Sequence, residues 1–507
     1  MATTDDFTII SHSPLGRIGG VAKALRAIVT LNSTFYAVDN EIFLPNGERI
    51  TTEKIPGNEG RTQTKVRVQE KRFYDNYRGY ANGILWPANH DFPQHIAEYS
   101  NDMAEANRLI ATLLIQAALQ QPKSNLWLVN DYQIANVAAI LDSTANLMGA
   151  EAEAFVEDIV KTYFHHTTFF SHATYEELGS GNRFDGVDIQ HVLRNQLEQL
   201  THYDAVGVQT PRDIENLEFL LNTLFNTTQV HNNRGVLTVQ YEDRQTIIKA
   251  VPIGVDAEGV IAAVNSEDFV GGYMLDSASL LEEQIAKDRY EGRVVVARVG
   301  RADYTKAYAE NMEFFYHFAK EMEQKDSTFK GIRGYFIAAE TRAGVPAYDT
   351  EMENIKEKAQ TINKQWRSEG HDCDLIELGT QEIPWEQGMQ LMRIADVYLD
   401  VSKRDGMHLT IPEAILAMGE GNGYVICGIE AGIGRLLRDA NFHTGTHGVF
   451  VSENFEPHFA HAAATSYLKG DRIDQDLVNQ INSNTVQHWR GNLVELTHEA
   501  AEFKRAA

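Results

Sequence analysis

Short β-branched apolar runs alternating with longer helical patterns predict an α/β fold, with parallel sheets covered by helices on both faces. Three observations carry that reading. Strand-like runs recur in both halves: residues 7–10 (FTII), 125–129 (NLWLV) and 204–208 (DAVGV), then 294–297 (VVVA), 334–337 (GYFI), 396–401 (DVYLDV) and 423–426 (GYVI). Between them lie amphipathic stretches in which Ile214, Leu217, Leu220, Leu221 and Leu224 share one face, as do Met312, Phe315, Phe318 and Met322; at helical spacing these are core stripes without further role. Finally, the run 247–256 (IIKAVPIGVD) ends a strand with a Pro and a Gly, which places a domain seam near residue 250. Each half is thus expected to build its own sheet.

Composition narrows the functional classes. The chain has 507 residues, 43% hydrophobic and 23% charged, enough for two or three globular domains. A formal net charge of -26 argues against a nucleic-acid-binding surface, and any anionic substrate must be drawn by a local basic pocket. Two cysteines, Cys373 and Cys427, form neither a disulfide framework nor a metal-ligand spacing. No signal segment stands at the N-terminus and no apolar run reaches the roughly 18 residues of a membrane span, so a cytoplasmic protein without membrane association is expected. The polar, Gly-bearing segment 43–71 reads as an irregular hairpin excursion.

Two fragments carry the chemistry. Residues 299–306 (VGRADYTK) follow a buried strand and precede a helix, setting Arg301 and Lys306 where open α/β sheets bind ligands. Two fixed cations there point to an anion, most simply a diphosphate. Residues 404–413 (RDGMHLTIPE) lie between the strand-like run 396–401 and a helix, placing Asp405 and successive backbone N–H groups at a helix N-terminus. Together they suggest a nucleotide-sugar site. A dehydrogenase is disfavoured, because no Gly-x-Gly-x-x-Gly follows a first strand with an acidic residue about 20 positions later.

Further fragments stand in a telling order: Gly19-Gly20-Val21, Tyr77 with 82–87 (NGILWP), Asn130-Asp131-Tyr132, 164–167 (FHHT), 207–210 (GVQT), 252–256 (PIGVD), the Arg301/Lys306 loop, Thr341-Arg342 and Asp405-Gly406-Met407. In this order the chain resembles the trehalose-6-phosphate synthase family of retaining glycosyltransferases, glycosyltransferase family 20, which includes the glucosylglycerol-phosphate synthases. The resemblance covers most of the chain. It implies a GT-B architecture of two Rossmann-like domains facing across a catalytic cleft. Residues 1–250 would bind the acceptor, 251–480 the nucleotide sugar, and 481–507 would form a helical segment packing back on the N-terminal domain.

The resemblance also implies roles. Gly19 and Gly20 would let backbone N–H groups approach the donor phosphates; Arg301 and Lys306 would neutralise the departing diphosphate. Asp405, Gly406, Met407, His408 and Leu409 would hold the transferred sugar, and Glu413 the ribose hydroxyls. His166, preferred over His165, would contact the sugar near the reacting centre. Tyr77, Trp86, Asp131 and Tyr132 would line the acceptor side, and Arg342 would grip the acceptor phosphate. His166, Asp131, Arg301, Lys306 and Asp405 form the expected catalytic set. No metal and no cofactor is required; the co-substrate would be UDP-, ADP- or GDP-glucose, the partner a small sugar phosphate, and the assembly a homo-oligomer, dimer or tetramer. Asp372-Cys373-Asp374 mimics a metal motif but is expected to be plain strand or loop sequence.

Departures from the family pattern cluster on the sugar and acceptor side. Ser11-His12-Ser13 replaces Ser-Asn-Arg, so one phosphate-binding arginine is missing and Arg17 is its candidate substitute. Asn130 replaces a histidine, His408 an asparagine, Ala307 a glycine, and Thr168-Phe169-Phe170 the usual Pro-Phe-Pro. Glucose 6-phosphate is the first acceptor expected and glycerol 3-phosphate the second; a cyclitol-coupling pseudo-glycosyltransferase and a non-catalytic regulatory homologue remain as alternatives.

Overall fold

The computed structural model describes residues 7–15, 33–55, 58–120, 124–148, 150–178, 183–184, 187–225, 229–266, 272–443 and 446–506. The chain divides into two compact units, Met1–Gly254 together with Val486–Ala507, and Val255–Thr485.

Among the described residues the first unit builds one ten-stranded sheet from β1 (Thr8–Ser11), β2 (Thr34–Val38), β3 (Arg49–Ile55), β4 (Asn58–Arg67), β5 (Leu126–Asn130) and β6 (Val160–Phe164). Two short strands, β7 (Arg183–Phe184) and β8 (Val187–Asp188), pair only with each other, and β9 (Ala205–Val208), β10 (Gln229–Asn233), β11 (Val236–Tyr241) and β12 (Arg244–Ala250) complete the sheet. Its order is β10-β11-β12-β9-β6-β5-β1-β2-β4-β3. From β12 to β4 every neighbouring pair is parallel. The chain builds outward from β1 in one direction, then returns to place β5 on its other side, so the topological switch lies between β1 and β5.

The sheet is not parallel throughout. Antiparallel hairpins close both edges, β10-β11-β12 at one and β3-β4 at the other. The stretch expected to be irregular is therefore mostly regular strand. Its alternating Thr and Lys residues explain the pairing: Thr52 and Thr64 hydroxyls meet across the hairpin at 3.1 Å, and Lys65 pairs with Glu53 at 2.6 Å.

The second unit carries β13 (Val294–Arg301), β14 (Ile332–Ala339), β15 (Ile376–Gly379), β16 (Val397–Asp400), β17 (Tyr424–Gly428) and β18 (Val449–Ser452), all parallel, in the order β15-β14-β13-β16-β17-β18. Counted within the unit this is 3-2-1-4-5-6, the doubly wound order, with its switch between β13 and β16. Helix Tyr308–Lys325 covers one face of this sheet; its predicted stripe of Met312, Phe315, Phe318 and Met322 is buried in the core with Trp366 and Tyr424.

Helix Val486–Ala506 belongs to the first unit. Trp489 is fully buried, its ring edge-on to Phe164 at 5.0 Å, while Thr497 meets Thr162 at 3.0 Å and Lys504 donates to the Ile159 carbonyl at 2.8 Å. The last helix thus supports the underside of β6. Trp489→Ala is expected to lower stability by about 3–5 kcal/mol through the cavity it leaves, read from the urea midpoint followed by far-ultraviolet circular dichroism.

Candidate functional site

In the second unit β13 and β16 diverge at their carboxyl ends, and the loops after them hold the expected donor residues. After Arg301, Asp303 caps a single turn, Tyr304–Lys306, accepting from the Thr305 N–H at 3.1 Å and its hydroxyl at 3.0 Å. Ala307 then takes a left-handed conformation (φ 54°, ψ 49°) that launches helix Tyr308–Lys325. A family glycine would suit this conformation without strain.

Beneath this turn a buried network fixes its position. Arg298, 1% exposed, forms an ion pair with Asp400 on the neighbouring strand, lies over the Tyr308 ring at 4.2 Å and donates to the Lys306 carbonyl. Asp400 also pairs with His408 Nε2 at 2.9 Å and accepts from the Thr410 hydroxyl at 3.3 Å. Burial alone would raise the Asp400 carboxyl, but Arg298 and His408 hold it well below the usual carboxylate range.

Above the network, Lys306 forms an ion pair with Asp405, so the two residues expected at the diphosphate and the sugar hydroxyls meet. The Asp405–Leu409 loop is itself pinned: Asp405 N–H donates to the Glu430 carbonyl at 3.1 Å, and the Gly406 and Met407 carbonyls accept from Gly432 and Ile433. Gly434 is required there, since a Cβ would stand 2.0 Å from the Gly428 carbonyl oxygen. His408 has φ 65° and both ring nitrogens engaged, Nδ1 with the Ser402 hydroxyl at 2.8 Å. Its side chain braces the loop, leaving its backbone N–H as the group suited to a ligand. Glu413, in the first turn of helix Thr410–Met418, accepts from the Trp385 indole at 3.0 Å.

Arg342 follows β14 with φ 50° and stands beside the same turn, its guanidinium on Asp303 at 3.0 Å and on the Tyr348 hydroxyl. The Asp-Cys-Asp motif is a surface turn whose carboxylates meet arginines, Asp374 with Arg367 at 2.6 Å and Asp372 with Arg293 at 3.9 Å. Among the described residues no cluster of His, Cys, Asp and Glu has the arrangement of a metal site.

In the first unit Asp131 terminates β5 at φ 76°, ψ 160°, a conformation natural to glycine. Its N–H reaches the Phe164 carbonyl at 2.9 Å, and its carboxylate accepts from the Tyr132 N–H at 3.0 Å and Gln133 Nε2 at 3.3 Å. The Tyr132 hydroxyl donates to Asn82 at 2.9 Å, and Asn82 donates to the Tyr77 carbonyl at 2.6 Å. Trp86 lies 5.9 Å from the Tyr132 ring. Tyr77 and Asn82 sit on a π-helical segment, Asp75–Leu85, and Trp86 opens the turn after it. A Cβ at Gly83 would stand 2.9 Å from the Arg78 carbonyl, so the wide winding needs glycine there. Tyr77 stacks on His12 at 5.5 Å.

The two histidines after β6 differ. His165 is saturated, its nitrogens meeting the Tyr163 hydroxyl at 2.8 Å and the Thr167 hydroxyl at 2.8 Å, its ring stacked on Phe169 at 3.9 Å. His166 meets Asn130 Oδ1 at 3.4 Å and packs edge-on against Trp489 at 5.8 Å. Burial pushes both imidazoles down to about 3, so both are neutral at pH 7.

Tyr77, Trp86, Asp131, Tyr132 and His166 therefore belong to the first unit, and Arg301, Lys306, Arg342, Asp405–Leu409 and Glu413 to the second. Gly19, Gly20 and Arg17 lie outside the described residues. Sequence reasoning missed the supporting groups Arg298, Asp400, Asp303, Asn82 and Trp385. Arg298 and Asp400 left a signal, a charge within each of two apolar strand runs, since a buried charge requires a partner.

Two Rossmann-like units with a paired cation loop at the switch point of the second define the GT-B class of glycosyltransferases. The chain belongs to glycosyltransferase family 20, whose family model matches residues 16–499. It is similar to the trehalose-6-phosphate synthase of Mycolicibacterium vanbaalenii, 22% identical over 97% of this chain and 92% of that protein. The same fold occurs in the UDP-forming alpha,alpha-trehalose-phosphate synthase of Burkholderia xenovorans in complex with glucose-6-phosphate (TM-score 0.74, 19% identical, covering 97% of this chain and 100% of that one). It occurs again in an E. coli structure bound with UDP-2-fluoro glucose (TM-score 0.74, 18% identical, covering 97% and 99%).

Two outcomes are expected. His165 and His166 stay neutral down to about 3, whereas the unfolded chain takes up these protons near 6.5. Their contribution to stability is thus complete above pH 6.5 and falls below it by about 1.4 kcal/mol per pH unit for each histidine; denaturant titrations between pH 7 and pH 5 should show this slope, reduced by one proton in His166→Gln. Asp400→Asn leaves Arg298 buried and uncompensated, and is expected to destabilise the second unit by about 3–5 kcal/mol, measured by urea unfolding at pH 7.

Proposed function

We propose that this glycosyltransferase moves glucose, with retention, from UDP-glucose to glucose 6-phosphate, giving trehalose 6-phosphate. The observation that carries the reading is the Lys306–Asp405 ion pair, formed between the loops that follow β13, which Arg301 ends, and β16. Such a pair is poised for exchange. An arriving diphosphate takes Lys306 and Arg301 as counter-ions, and Asp405 is released to accept from the hydroxyls of the transferred sugar. Glu413, oriented by Trp385, accepts from the ribose hydroxyls, which UDP-, ADP- and GDP-glucose share. UDP is preferred because the solved relatives carry it in their names.

On the acceptor side, Asp131 and Tyr132 present a carboxylate and an aromatic ring next to Trp86 and Tyr77, a setting suited to sugar hydroxyls. His166 is neutral and takes part as a hydrogen-bonding group, with no positive charge to bring to the reacting centre. Arg342, held by Asp303 through one guanidinium nitrogen at 3.0 Å, can turn another edge to a sugar phosphate. The bond between the anomeric carbon and the diphosphate breaks as the acceptor oxygen bonds the same face. The departing phosphate oxygen takes the acceptor's proton, and Arg301 with Lys306 stabilises the charge that develops. A smaller acceptor, glycerol 3-phosphate, is the second reading, favoured by Ser13 and Asn130 where the family carries Arg and His.

Mass spectrometry of the products from UDP-, ADP- and GDP-glucose with glucose 6-phosphate or glycerol 3-phosphate tests this reading. A hexose disaccharide phosphate formed fastest from UDP-glucose is the expected result; glucosylglycerol phosphate alone would replace the acceptor. Lys306→Ala is expected to lower kcat/KM at least tenfold, about 1.4 kcal/mol of transition-state stabilisation. A smaller loss would remove Lys306 from the leaving-group role.

A further inference from the structure

The first unit holds a cavity of about 710 Å³ away from any residue assigned above, within the ~300–1,000 Å³ span of small-molecule sites. Its walls come from the helices Asn101–Gln120, Val137–Met148 and Ile189–Leu200 and from the outer side of the π-helical segment, through Tyr80 and Ile84. Every residue lining it belongs to the first unit.

The lining has a definite chemistry. Tyr80 and Tyr99 supply aromatic faces, and Asn107, Asn136, Asn195 and Gln199 supply amides. Asn136 is 9% exposed, and its Nδ2 donates to Asn107 Oδ1 at 2.6 Å. The lining's carboxylate, Asp188, is committed to capping helix Ile189–Leu200, accepting from Gln190 N–H at 3.0 Å. Burial raises the Tyr80 phenol, which stays a neutral hydroxyl in contact with Gln199. Arg108 and His191, both exposed, also line it; the aromatic faces and neutral amides match the C–H faces and hydroxyls of a sugar or polyol.

The same amides lead out of the cavity. Asn107 Nδ2 donates to the Gln133 carbonyl at 2.7 Å, and Gln133 Nε2 donates to Asp131 Oδ2 at 3.3 Å. Tyr80 and Ile84 lie on the helical segment that carries Tyr77 and Asn82. The cavity thus lies behind the acceptor-side cluster and shares two of its supports.

We infer that this cavity is a second ligand site, which takes a neutral sugar or polyol of mono- to disaccharide size and adjusts the acceptor-side cluster through the Asn136–Asn107–Gln133–Asp131 chain. The ligand's hydroxyls pair with the lining amides, its C–H faces pack on Tyr80 or Tyr99, and Gln133 acts as a positioning residue for Asp131. The regulatory half rests on the function proposed above; the binding half does not.

Calorimetry on the full chain tests binding, with UDP and glucose 6-phosphate both saturating so that the catalytic residues are occupied and no turnover occurs. Glucose and trehalose are the probes, glucose 1-phosphate the anionic control. Binding of a neutral probe should persist under these conditions and be lost in Ala139→Phe, which fills the cavity; Gln199→Leu serves if that variant does not fold. Loss of binding when UDP and glucose 6-phosphate are added, binding unchanged in both variants, preference for glucose 1-phosphate, or no binding of either probe would each overturn the site. In steady-state assays the bound probe should change KM for glucose 6-phosphate about fivefold or more in wild type and not in Ala139→Phe. An unchanged KM would overturn the coupling while leaving the site. Absence of any product, with binding intact, would overturn the proposed function and leave the cavity's ligand class standing.

Discussion

The second unit depends on one buried ion pair. Arg298 and Asp400 lie on the two strands between which the sheet changes direction, and everything set at the surface there is tied to them. Arg298 holds the Lys306 carbonyl, and so the turn that carries the cation; Asp400 holds His408, and so the loop that carries Asp405. A buried pair of this kind adds little net stability, because desolvation of both charges offsets their attraction. What it supplies is registry. The hydrophobic core would tolerate small slips of β13 against β16, whereas a paired guanidinium and carboxylate with fixed hydrogen-bond directions do not. The placement of Lys306 opposite Asp405 follows from that rigidity.

The first unit reaches comparable precision by different means. Its expected acceptor residues come from two short, irregular pieces of chain, the π-helical segment and the turn after β5, and a neutral hydrogen bond from Tyr132 to Asn82 joins them, Asn82 donating in turn to the Tyr77 carbonyl. Neutral donors and acceptors suit a site for uncharged hydroxyls, where strong local charges would compete with the ligand. The neutral histidines belong to the same design. With His165 saturated and His166 held against Trp489, burial keeps a positive charge from forming beside the Asp131 carboxylate at physiological pH.

Much of this was legible from sequence where periodicity and burial coincide. The runs 294–297, 334–337, 396–401 and 423–426 lie in β13, β14, β16 and β17 because parallel strands covered on both faces are apolar without interruption. The stripe from Ile214 to Leu224 is core for the complementary reason. Strands that failed this test were missed: β3, at the sheet edge, and β4 beside it are rich in Thr and Lys, and β15 is only four residues, Ile376–Gly379. For the site, the motif residues could be named, but not what holds them. That Trp385 orients Glu413 and Asp303 holds Arg342 depends on chain separations of 28 and 39 residues, which no local pattern encodes. The π-helical winding was equally hidden: it tolerates only glycine at position 83, beside the Arg78 carbonyl, and no local periodicity reveals that approach.

The backbone at Asp131 has a wider consequence. At φ 76° and ψ 160° the position belongs to glycine, and an L-residue is held there only by its surroundings. Mutational drift governed by folding alone would therefore carry this position to glycine, gaining robustness with each generation and discarding the carboxylate. Its carboxylate is kept at a conformational cost that only the proposed acceptor-side role offsets. By the same reasoning, position 131 should be held fixed in any programme that seeks a more heat-resistant form of this enzyme, because the change most rewarded by a stability screen would also be the one that empties the acceptor side of its charge.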